Sequence, residues 1–147
     1  MGFTTPCFIR KNTPELRKKL EELRYSHGKP KYYADDDDNK YDFIMCHNGR
    51  FFLLSQENHV IRNGHPLKKY GSIDCGTNED LFLAIASLRD DTDDNQLFTN
   101  GKGDWGIYRD GSDGSLPGMD FYGMPNDFNL LYYHKATVNE LIEHFKV

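Results

Sequence analysis

"YDFIMCHNGRFFLL", residues 41–54, holds an Asn-Gly pair between two apolar, aromatic-rich runs. Asn48 and Gly49 are residue types that accept positive φ, and the commonest two-residue hairpin turn requires positive φ at both central positions. The stretch therefore predicts two antiparallel strands, 41–46 and 50–54, joined by a tight turn. "HVIR" (59–62) extends the same meander. "QLFTN" (96–100), "WGIYR" (105–109) and "FNLLYYH" (128–134) supply further strands, separated by turns rich in Gly and Asp.

Helices enter in three strand–Thr–helix units. "CFIRKNTPELRKKLEEL" offers Thr13 as an N-cap, Pro14 at the first helical position, and Leu16, Leu20 and Leu23 on one face. "SIDCGTNEDLFLAI" offers Thr77 with Asp80 three residues on, and "LLYYHKATVNELIEHF" offers Thr137 with Glu140, a full capping box. Helices are predicted over 14–24, 78–89 and 138–146. The middle one is apolar nearly all round, so it belongs at the centre of the core. Strands outnumber helices and connect mostly by short turns. The expected architecture is α+β, with a largely antiparallel sheet and about three helices in one domain, 1–147.

Composition agrees with a globular domain. The chain has 147 residues, 14% of them aromatic and 28% charged, enough apolar area for a core without cross-links. No apolar run reaches the roughly 18 residues that span a bilayer, and "MGFTTPCFIRKN" lacks the apolar centre of a signal peptide. Cys7, Cys46 and Cys75 are odd in number and widely spaced, which suits small hydrophobes in a reduced, cytoplasmic protein. Residues 1–31 carry eight Lys/Arg against three Glu, a net of +5, while the rest carry ten against twenty, a net of −10. The overall acidity disfavours nucleic-acid binding.

The first and second units, with the following "SLRDDTDDNQLF", resemble small uncharacterised accessory proteins of phages and mobile elements of gut Bacteroidales. That resemblance implies a setting in which host-interaction proteins are common. It implies no activity and no catalytic residues.

Motifs that carry chemistry are incomplete. Gly106-Ile107-Tyr108 with Tyr122-Gly123 resembles the paired strands of a GIY-YIG nuclease, which adds an Arg on a following helix and a metal-holding Glu. No Arg follows Gly123, so the stretch reads as two strands and a loop. Asp91, Asp93 and Asn95 start like a calcium loop, but Gln96 stands where Gly is required and Lys102 where a bidentate Glu is required. His47, His59 and His65 lack the close ligand pairs of a zinc site. No P-loop or nucleophile elbow opens a helix. No catalytic residue, metal ligand or cofactor is assigned.

What remains is a surface. Trp105, Tyr108, Arg109, Phe121 and Tyr122 crowd one Gly-rich region, as Tyr32 and Tyr33 crowd another, and Asp90, Asp91, Asp93 and Asp94 follow the central helix, where carboxylates oppose its dipole. Arg89, a cation or a basic partner would compensate them; otherwise they are simply solvated. The leading expectation is a non-catalytic cytoplasmic protein that binds or inhibits a host component. A nucleotide-sized ligand clamped by Trp105, Tyr108 and Arg109 is the alternative, and a metal-dependent nuclease or hydrolase the second alternative.

Overall fold

A computed structural model describes residues 2–28, 37–55 and 71–146. In chain order the elements are β1 (Cys7–Ile9), α1 (Pro14–Glu22), β2 (Ser26–His27), β3 (Phe43–His47), β4 (Arg50–Leu54), β5 (Ile73–Asp74), α2 (Glu79–Ala86), β6 (Gln96–Thr99), β7 (Trp105–Arg109), β8 (Gly118–Phe121), β9 (His134–Lys135) and α3 (Val138–His144). The expected turn joins β3 to β4, with Asn48 at φ 51 and Gly49 at φ 77 closing the register His47↔Arg50.

The fold is α+β, and its strands divide into two sheets, ordered β2-β4-β3-β1-β5 and β8-β7-β6-β9. The second sheet is antiparallel throughout. The first is mixed, because β1 pairs antiparallel with β3 but parallel with β5. "HVIR" (59–62), Tyr32, Tyr33, His59 and His65 lie outside the described residues.

Local capping chemistry sets the helix starts. Thr13 accepts the Leu16 N–H at 3.1 Å, and Thr137 with Glu140 forms the predicted capping box. The second helix departs from expectation. Asn78, not Thr77, is its N-cap, accepting the Leu81 N–H at 3.1 Å. Asn78 also donates to the Phe145 carbonyl at 2.7 Å, which ties the start of α2 to the end of α3. Thr77 offers no such second bond.

All three helices end earlier than predicted. α1 stops where Arg24 turns left-handed at φ 80, so that Tyr25 N–H reaches back to the Leu20 carbonyl and Arg24 N–H to that of Glu21. α2 stops at Ser87, whose carbonyl accepts from the buried Gln96 side chain. α3 ends at His144, with Phe145 as its C-cap.

One core joins both sheets. Leu16 and Leu20 of α1, Phe82, Ile85 and Ala86 of α2, and Leu141 of α3 have no exposed surface, and Leu97 and Trp105 of the second sheet pack on the same cluster. α2 touches β1, α1 and α3, the central place its composition predicts. Cys7, Cys46 and Cys75 are free and buried in this cluster. The neighbouring Cys46 thiol and burial push the Cys7 thiol well up, and contact with Cys7 and burial do the same for Cys75, so both stay protonated.

Candidate interaction surface

Alternation along β7 decides what its aromatic residues do. Trp105, Ile107 and Arg109 share one face of the strand, and Gly106 and Tyr108 the other. Trp105 stacks on His144 of α3 with ring centroids 4.1 Å apart, whereas Tyr108 leans on Phe98 at 5.4 Å. Arg109 bonds the Asn95 side chain and lies 3.8 Å from the Asp120 carboxylate. The structure therefore does not bring Trp105, Tyr108 and Arg109 together around one ligand position. Their contacts are internal.

The paired strands of the Gly-Ile-Tyr stretch are an ordinary hairpin, with Gly106↔Phe121 and Tyr108↔Met119 in register. Glu140, the carboxylate on the following helix, is engaged by Thr137 N–H at 3.0 Å and by His134 Nε2 at 2.8 Å. Burial raises its pKa, but the Thr137 N–H and His134 outweigh that and hold it below the usual range. Among the described residues no group of three or more His, Cys, Asp or Glu is arranged to hold a metal ion.

The acidic stretch after α2 is compensated within the chain. Asp91 pairs with Arg89 at 2.7 Å, and Asp93 with Lys135 at 3.1 Å. Asp90 accepts the Gly2 N–H at 2.8 Å, and Asp94 the Asp110 N–H at 2.9 Å. Lys135 also donates to the carbonyls of Arg89 and Thr92, so the cation from β9 caps the loop beyond α2. Of the compensations weighed from sequence, Arg89 is in place, and Lys135, distant in sequence, is the one that spacing could not reveal.

Three carboxylates of this region, Asp91, Asp110 and Asp113, carry a pH dependence. The Arg89 guanidinium holds Asp91 below the usual carboxylate range, and bonds from Ser112 and Ser115 do the same for Asp110 and Asp113. A carboxylate whose pKa is depressed on folding contributes stability above its unfolded value, and that contribution is lost as pH falls through the folded one. Urea unfolding midpoints at about pH 7 and about pH 3 should show the wild type weakening on acidification. Asp91→Asn should weaken less, because it has already lost its share. An equal acid loss in both proteins would show that the Arg89–Asp91 pair contributes nothing.

The distinctive surface lies elsewhere. β8 and β9 are the two edges of the second sheet, so residues 122–133 must carry the chain from one edge to the other. "FNLLYYH" is not a strand: Asp127 accepts the Asn129 N–H and Asn129 the Leu131 N–H, which turns the backbone into a short 3-10 coil over Leu130–Tyr132. Only His134–Lys135 pair with β6.

That coil faces outward. Tyr122, Met124, Phe128, Leu130, Leu131 and Tyr132 are all exposed, with Met124 at 84% and Leu131 at 90%. Leu116, 91% exposed, stands on the β7–β8 loop at the far end of the hairpin. Tyr122 is the one aromatic residue of the sequence-derived set that belongs to this surface. The apolar run 128–133 was visible in the sequence, but a run without alternation reads equally well as buried strand.

The connection is anchored rather than loose. Phe128 and Tyr133 pack edge-on against Phe121 at 5.7 and 5.6 Å. Buried Asp104, at the mouth of β7, accepts the Asn126 N–H at 3.1 Å and the Asn100 side-chain amide at 2.8 Å. Tyr133 donates its hydroxyl to the Asp127 carbonyl at 2.7 Å. The sheet thus holds apolar side chains out to solvent.

The fold and this surface define an α+β protein with an apolar connection displayed from the edge of an antiparallel sheet. Compared with protein-family models, curated proteins and solved structures, the chain matches none. Among the described residues no helix is long and apolar enough to cross a membrane.

Proposed function

We propose that the chain is a non-catalytic interaction protein that binds or inhibits a protein component of its host. The phage and mobile-element proteins that its sequence resembles suggest such a setting. The observation that carries the reading is the exposure of six large apolar side chains between residues 122 and 132. Single exposed apolar residues are ordinary on a protein surface, but a concentration on one anchored segment marks a docking site. The nucleotide reading draws no support from the geometry, since Trp105 and Tyr108 point to opposite faces of β7 and each already has an aromatic neighbour.

The test places a photo-crosslinking side chain at Leu131 and, as a control, at exposed Glu21 on α1. In a lysate of the source cell, position 131 should give a discrete crosslinked product. Excess unlabelled wild type should compete it away, and Leu131→Asp should not. The same product from both positions, or no competed product, would overturn the proposal.

A further inference from the structure

We propose that the outer edge of β8 receives an added strand from a cationic partner protein, an extended segment that alternates Lys or Arg with apolar residues. The inference rests on reading residues 122–132 as a protein-binding surface. β8 is an edge strand, and its phase is fixed by the Tyr122 N–H, which donates to the Trp105 carbonyl at 2.9 Å. Backbone groups in an antiparallel ladder turn alternately toward and away from the neighbour. Gly118 and Asp120 therefore face β7, and the N–H and C=O of Met119 and Phe121 face outward. Among the described residues those outward groups make no backbone hydrogen bond. Such a row is a template for another strand.

Side chains and charge specify the visitor. Met119 and Phe121 point to one face of the sheet and Asp120, 71% exposed, to the other. An added strand would set apolar residues beside the first two and a cation beside the third. Residues 110–133 contain four Asp and no Lys, Arg or His. A second copy of this edge would bring like charges together, whereas a basic segment meets complementary ones. The nearest cation, Arg109, lies at 3.8 Å and is shared with Asn95, so it does not satisfy Asp120 fully. β8 also leads directly into exposed Tyr122 and Met124, which a strand longer than β8 would cover.

Selection of a displayed library of short random peptides on the full chain tests this. Enriched peptides should alternate basic and apolar residues, and should slow amide exchange at Met119 and Phe121. Asp120→Lys should weaken their binding by at least about tenfold, and Asp120→Asn by less in the same direction. Both changes sit at an exposed position, and the unfolding midpoint of each variant verifies that it is folded. No enrichment, enrichment without alternation, unchanged exchange at Met119 and Phe121, or binding indifferent to Asp120→Lys would overturn the inference. Selected peptides that are lost with Leu131→Asp but ignore Asp120→Lys would sink the edge and leave the surface reading standing. Alternating peptides that bind β8 while Leu131 gives no competed crosslink would do the reverse.

Discussion

Phe82→Ala should lower the free energy of unfolding by about 3–5 kcal/mol, the cost of emptying a large buried site. Phe82 has no exposed surface and sits on α2, which touches β1, α1 and α3. α2 is packed among elements from both ends of the chain, and Phe82 belongs to the buried cluster they share. A loss of this size is a large fraction of the 5–15 kcal/mol typical of a domain. Urea unfolding followed by far-UV circular dichroism should show a lower midpoint with a single transition. A midpoint within error of the wild type would mean that α2 is not the centre of the core.

The second large effect is expected at Asp104, and it links stability to the surface. Removing the carboxylate in Asp104→Ala leaves the Asn126 N–H and the Asn100 side-chain amide without their acceptor. Both bonds are part-buried, and a hydrogen bond to a charged acceptor contributes about 1.5–3 kcal/mol before water competes for the freed donors, so roughly 2–4 kcal/mol is expected in total. The loss should also be local. Amide exchange over residues 122–132 should accelerate more than over β3 and β4, because Asn126 is where the connection is fastened. Uniform acceleration across the chain would show that Asp104 supports the whole fold and not this segment in particular.

Legibility in the sequence follows the range of the interaction. The Asn48-Gly49 turn and the Thr13 and Thr137 caps are decided within four residues, and each stands as expected. At the second helix two capping residues compete side by side. Asn78 prevails through a bond to Phe145, 67 residues away, which no local pattern contains. Residues 128–134 read as strand because aromatic and apolar residues favour strands, yet "NDFN" at 126–129 holds the Asx chemistry that turns the chain into a 3-10 coil. Asp104 resembles any acidic loop residue until the fold buries it. The candidate surface was the least legible part, since exposure is a property of the assembled structure. Of the aromatic residues singled out in this region, Tyr122 is displayed, whereas Trp105, Tyr108 and Phe121 are half-buried.

The place of β1 in the first sheet governs the order in which the protein is built. β1 lies between β3 and β5, pairing Cys7 with Cys46 on one side and with Ile73 on the other. On the ribosome, residues 7–9 emerge before either neighbour exists, and they wait first for residues 44–46 and then for 73–74. Both pairings close long loops before any contact repays the lost chain entropy. β6, β7 and β8 instead join neighbours in sequence and can zip up as soon as they appear. Synthesis therefore leaves β1 waiting for its partners longer than β6, β7 and β8 wait for one another.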